Sequence, residues 1–121
     1  MHYLPDSFDG SLFLGTEIEL VCFFPFSIAL GFSGDTSKWI QIESEWILRC
    51  GNEVLEHITE FPIQSSKLLS TIGKKVLKFD INREKNNILL HLDSDMSIEV
   101  VDTPNGYETY KIDDGEQDII V

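Results

Sequence analysis

Cysteine is scarce in this chain. Only Cys22 and Cys50 occur among 121 residues, with no CxxC and no His/Cys cluster, so a zinc site is not expected. Both lie in apolar, strand-like runs, which predicts two buried, reduced thiols. Histidine is limited to His2, His57 and His91. The second histidine of HExxH is missing and GxSxG is absent, which leaves no set of nucleophile, base and orienting acid. Neither GxxxxGK[ST] nor GxGxxG occurs, so no phosphate cradle is expected. Long apolar runs are lacking too. The best candidate, Leu20–Phe32, is cut by Pro25 and Gly31 and falls short of the roughly 18 residues a membrane helix needs. The opening MHYLPDSFDG has neither the basic residues nor the apolar stretch of a signal peptide, and a cytoplasmic location is expected.

Bases are the most telling scarcity. Nine Lys and Arg stand against 21 Asp and Glu, a formal net charge of −12. Residues 1–60 carry −8, residues 61–90 carry +4 and residues 91–121 carry −8. Such a field repels nucleic acid and anionic membrane and attracts cations or basic proteins. Solubility alone also accounts for acidity of this kind. The hydrophobic fraction of 42% is that of a globular protein, and the length suits one domain with one core over 1–121.

What is present is alternation, and it repeats. LGTEIELVCF and FSIALGFSGDTSKWIQIES in the first half resemble IGKKVLKFDI and NNILLHLDSDMSIEVVD in the second. Gly15 aligns with Gly73, Ile18 with Val76, Ile28, Leu30 and Phe32 with Ile88, Leu90 and Leu92, Asp35 with Asp95, and Ile40 and Ile42 with Ile98 and Val100. An internal repeat over about 12–50 and 69–112 is therefore expected. The reading is a mainly β, β-rich α+β fold of two similar antiparallel meanders, packed as a sandwich or half-barrel with one short linking helix. Strands are expected near 17–24, 27–33, 38–49, 75–82, 87–93, 96–102 and 107–112. Ser65 and Ser66 are candidate caps for the linking helix through Leu68, Leu69 and Ile72, stopped by Gly73. SLFLG at Ser11–Gly15 is a candidate turn of helix, EVLEHI at Glu53–Ile58 a helical turn or hairpin extension, TPNG at 103–106 a turn, and the tail at 119–121 a weakly paired strand.

The stretch WIQIESEWILRC at Trp39–Cys50 places Ile40, Ile42, Trp46, Leu48 and Cys50 on one parity and Gln41, Glu43, Glu45 and Arg49 on the other. Trp46 is expected in the core. Glu43 and Glu45 then stand on a wet face about 7 Å apart, beside Trp39. Two carboxylates at that spacing suit a glycosidase only if their environments tune them apart, and no apolar pocket is visible for either. Asp93 and Asp95, with Glu99 and Asp102 nearby, offer oxygen ligands to calcium or magnesium but lack the EF-hand pattern. No catalytic residue, metal or cofactor is expected. Trp39, Glu43, Glu45, Asp93, Asp95, Glu99 and Asp102 are instead candidate partner-binding residues, an aromatic anchor beside an acidic stripe.

The runs LGTEIELVCF, FSIALGF, IQIESEWIL and PNGYETYKIDDG together resemble a group of small bacterial proteins built from two such repeats, over roughly Leu14–Gly115. Some of these are similar to immunity proteins of polymorphic-toxin and contact-dependent growth inhibition systems. Tyr110 stands where that pattern has a tryptophan. The resemblance implies a non-enzymatic protein that binds a cognate toxin domain and blocks it. A nuclease toxin is basic because its substrate is a polyanion, and an acidic inhibitor gains on-rate against it. The rival reading is a structural β-domain or homodimer with paired strand edges.

Overall fold

The computed structural model describes residues 3–61, 63, 65–103 and 108–121. The chain runs through a 3-10 turn (Ser11–Phe13), β1 (Ile18–Phe24), β2 (Ser27–Phe32), β3 (Lys38–Ile42), β4 (Glu45–Cys50) and β5 (Glu53–Ile58). A second 3-10 turn (Lys67–Thr71) leads into β6 (Val76–Asn82), β7 (Asn87–Leu92), β8 (Met96–Val101), β9 (Tyr110–Asp113) and β10 (Asp118–Ile120). The protein is mainly β, with two antiparallel five-stranded sheets in the orders β1-β2-β3-β9-β10 and β5-β4-β8-β7-β6. The sheets do not close into a barrel, and their inner faces share one core. Among the described residues no helix is long and apolar enough to cross a membrane.

The two halves build the same elements in the same order. Each begins with a 3-10 turn, continues as a three-stranded meander, and then sends a hairpin to the opposite sheet. β4 pairs with β8 of the second half, and β9 pairs with β3 of the first. Matching bonds join the halves where the meanders start. Gly15 N–H donates to the Val76 carbonyl at 2.9 Å, and Gly73 N–H to the Ile18 carbonyl at 2.7 Å. The Glu17 carbonyl accepts from Ser33 N at 2.8 Å, and the Lys75 carbonyl from Asp93 N at 3.1 Å. A β-bulge falls at the same place in each half, between Ile18 and Leu20 and between Val76 and Lys78. Each bulge inserts one residue, so Ile18 and Val21, like Val76 and Phe79, all face inward.

The expected strand at 38–49 is two strands in different sheets. Ile42 ends β3, the chain turns at Glu43–Ser44, and β4 starts at Glu45. Ile40 and Ile42 fill the core from one sheet, Trp46 and Leu48 from the other, and all four are fully buried. The corner preserves the alternation, so period two reads the same through it. The linking helix is a single 3-10 turn. The Ser66 side chain accepts from Leu68 N, and Glu56 on β5 takes the Ser66 hydroxyl and, at 2.9 Å, Lys67 N–H. SLFLG supplies the matching 3-10 turn, EVLEHI is a strand, and the tail pairs as β10. Positions 104–107, where the TPNG turn and the start of the last strand are expected, lie outside the described residues.

Aromatic rings close the core at the end where the meanders start. Phe13 meets Phe32 edge-on at 5.0 Å and stacks on Phe79 at 5.4 Å, and Phe8 meets Phe79 edge-on at 5.6 Å. Gly10 crosses this cluster at φ 76°, and a Cβ there would sit 2.2 Å from the Phe79 ring. The cysteines differ from expectation. Both are free, but Cys22 is half-buried and Cys50 is exposed. Cys50 keeps the inward parity of β4 yet stands as its last residue, beside the turn at Gly51, beyond the end of the core.

Candidate docking face

The outer faces of the two sheets have opposite character, and register shows why. On the second sheet one row across the strands reads Lys78, His91, Ser97, Arg49, Val54, and the next reads Asp80, Leu89, Glu99, Ile47, His57. Carboxylates there find partners on the sheet itself. Asp80 takes His91 at 2.8 Å and Lys78 at 3.5 Å, Arg49 meets Glu99 at 2.9 Å, and His57 meets Glu45 at 2.6 Å.

On the first sheet the rows read Leu20, Gly31, Trp39, Asp113, Asp118 and Cys22, Ala29, Gln41, Lys111, Ile120. Trp39 lies flat because Gly31 is opposite it. A Cβ on Gly31 would meet the indole at 3.0 Å. The indole N–H donates to Ser37 Oγ at 3.1 Å, and Gln41 is tied to Ser27 Oγ at 2.8 Å. Beside the indole is an open hollow of about 290 Å³, lined by Trp39, Gln41, Lys111, Asp113, Asp118 and Ile120. Lys111 sits between Glu43 at 3.6 Å and Glu108 at 3.5 Å. These two carboxylates, Glu43 first, hold its ammonium above the ordinary lysine pKa. Asp113 and Asp118 form no ion pair with a described residue. The face is an aromatic and aliphatic floor with an acidic rim, suited to an apolar, cationic protein surface.

The expected acidic stripe divides into separate places. Trp39 is on the outer face of the first sheet and Glu43 at its border. Glu45 lies past the corner, paired with His57 and reached by Thr103 Oγ1 at 3.5 Å. Glu43 and Glu45 are therefore not neighbours on one strand face, because the corner sends them to different sheets. Glu99 belongs to the outer face of the second sheet. Asp102 is structural, accepting from Asn86 Nδ2 at 3.0 Å and from Thr109 Oγ1 at 2.7 Å. Asp93 and Asp95 occupy the β7–β8 turn at the far end of β8, about 20 Å from Asp102 at the strand rise. Asp93 accepts Lys75 N–H at 3.3 Å, and both line an open hollow of about 650 Å³ with Asn52, Leu77 and His91. Among the described residues no three His, Cys, Asp or Glu side chains gather to hold a metal.

Lys111, Asp113, Asp118 and Ile120 escaped sequence reasoning. The alternation of YETYKID shows that Lys111 and Asp113 share a face, but nothing local says that β9 crosses to the sheet carrying Trp39. The repeat held the only hint, since a hairpin leaving one meander implies its counterpart leaving the other. Set against protein-family models, curated proteins and solved structures, the chain matches none.

Proposed function

We propose that this chain is a non-enzymatic binding protein, an immunity protein whose outer first-sheet face docks a basic toxin domain. The contrast between the two outer faces carries this reading. One sheet partners its carboxylates with its own Lys, Arg and His side chains. The other sets Asp113 and Asp118, which form no ion pair among the described residues, around an aromatic floor, in a chain of net charge −12. Opposite fields speed encounter with a basic partner, while a desolvated indole supplies anchoring energy.

The test is co-purification with the product of the reading frame encoded beside it, in high salt, together with rescue of growth. Trp39→Ala is expected to weaken the complex at least tenfold, about 1.4 kcal/mol or more. Trp46 is fully buried, so a change of indole emission on binding reports Trp39. Affinity unchanged in both Trp39→Ala and an Asp113→Lys/Asp118→Lys double reversal would remove this face from the interaction.

A further inference from the structure

Four strand edges bound the two sheets: β1 and β10 in one, β5 and β6 in the other. Open edges recruit strands from other chains unless charge, shortness or cover prevents it. Three of the four are guarded. β10 has three residues and starts with Asp118. β5 carries Glu53, Glu56 and His57. β6 carries Lys78 and Asp80, 3.5 Å apart, and runs into Arg83, Glu84 and Lys85.

β1 holds the place in the first half that β6 holds in the second, but its one charged side chain is Glu19, at the bulge, and none follows along the strand. From Leu20 to Gly34 there are fifteen residues without a charged side chain, the longest such stretch in the chain. Leu20, Phe23, Phe24 and Phe26 are 48%, 39%, 49% and 75% exposed. Among the described residues β1 pairs with β2 alone, and its only outside backbone bonds are those at Ile18, before the charge-free stretch.

We propose that this edge is the interface of a homodimer in which β1 pairs antiparallel with β1 of a second copy. Charge selects the occupant. Two copies of a chain carrying −12 repel wherever acids face each other, and Leu20–Phe24 is the strand edge where none do. A basic partner gains nothing electrostatic from the same edge. Antiparallel self-pairing is isologous, so each copy supplies the open N–H and C=O groups the other lacks. Leu20 and Phe24 of both copies come together on one outer face. The two first sheets become a single ten-stranded sheet with both Trp39 faces on the same side. This dimer stands independently of the partner proposed for those faces.

Sedimentation of the whole chain between roughly 1 and 100 µM is expected to show a monomer–dimer equilibrium. Backbone hydrogen exchange of Leu20–Phe24 is expected to slow as concentration rises. Leu20→Lys and Phe24→Lys replace exposed side chains and are expected to raise the dimer Kd at least about tenfold. Leu77→Lys, at a position 58% exposed on the equivalent edge, is expected to leave it unchanged. A monomer throughout that range overturns the proposal. So does a dimer insensitive to both β1 variants, exchange of β1 amides independent of concentration, or protection of β1 that needs a different protein. Exchange is read on the unaltered chain, so the test survives a variant that fails to fold.

Discussion

Tyr110 and Trp46 occupy matching positions, each the first inward residue of the arm its half sends across. Both are fully buried, but their polar atoms fare differently. The Tyr110 hydroxyl donates to the Asn86 carbonyl at 2.7 Å, whereas Trp46 Nε1 has no hydrogen-bond partner among the described residues. Burial first and Asp102 second push the Tyr110 pKa far above its ordinary 10.0. Once pH passes that value, the unfolded chain has released a proton that the native state still holds, so stability falls as pH rises. Lys111, held above 10.5 by Glu43 and Glu108, acts in the same direction. Urea denaturation between about pH 8 and pH 11 is expected to show this alkaline loss. In Tyr110→Phe the loss is expected to be shallower, with about 1 kcal/mol less stability at neutral pH from the broken bond.

At the level of elements, the first 3-10 turn depends on the close approach of Gly10 to Phe79. Gly10→Ala sets a methyl against the ring at a positive φ and is expected to destabilise by at least about 2 kcal/mol, read as a lowered melting temperature. Most elements were legible in the chain. Alternation located the strands, Ser66 marked the linking turn, and the match of Gly15 with Gly73 aligned the two meanders. Partnership within each meander was legible, but partnership between the halves was not. Ile42 and Trp46 both point inward across a corner that leaves the alternation intact, so Glu43 and Glu45 read as neighbours although they serve different sheets. The candidate site suffered for the same reason. Trp39 was visible, but its neighbours Lys111 and Asp113 arrive on β9, some seventy residues later. Cys50 shows a related limit, since parity gives the direction of a side chain but not whether the core extends that far.

Across the whole molecule, the net charge of −12 sets what the proposed docking is expected to show. If the Trp39 face docks a basic protein, the association rate is expected to fall at least about tenfold between 0.05 and 0.5 M salt, approximately, with a smaller change in dissociation, measured by stopped-flow indole fluorescence. Topology governs how the chain comes to exist at all. β4 and β5 complete the sheet of the second half, and β9 and β10 complete that of the first. A fragment ending at Glu60 holds an arm with nothing to lie against and a meander missing its neighbour. Neither fragment has a finished core, yet each carries what the other lacks. Severed in the linker, the two pieces are expected to regain β-structure only when mixed, read as a gain of far-ultraviolet circular dichroism over the sum of the separate spectra.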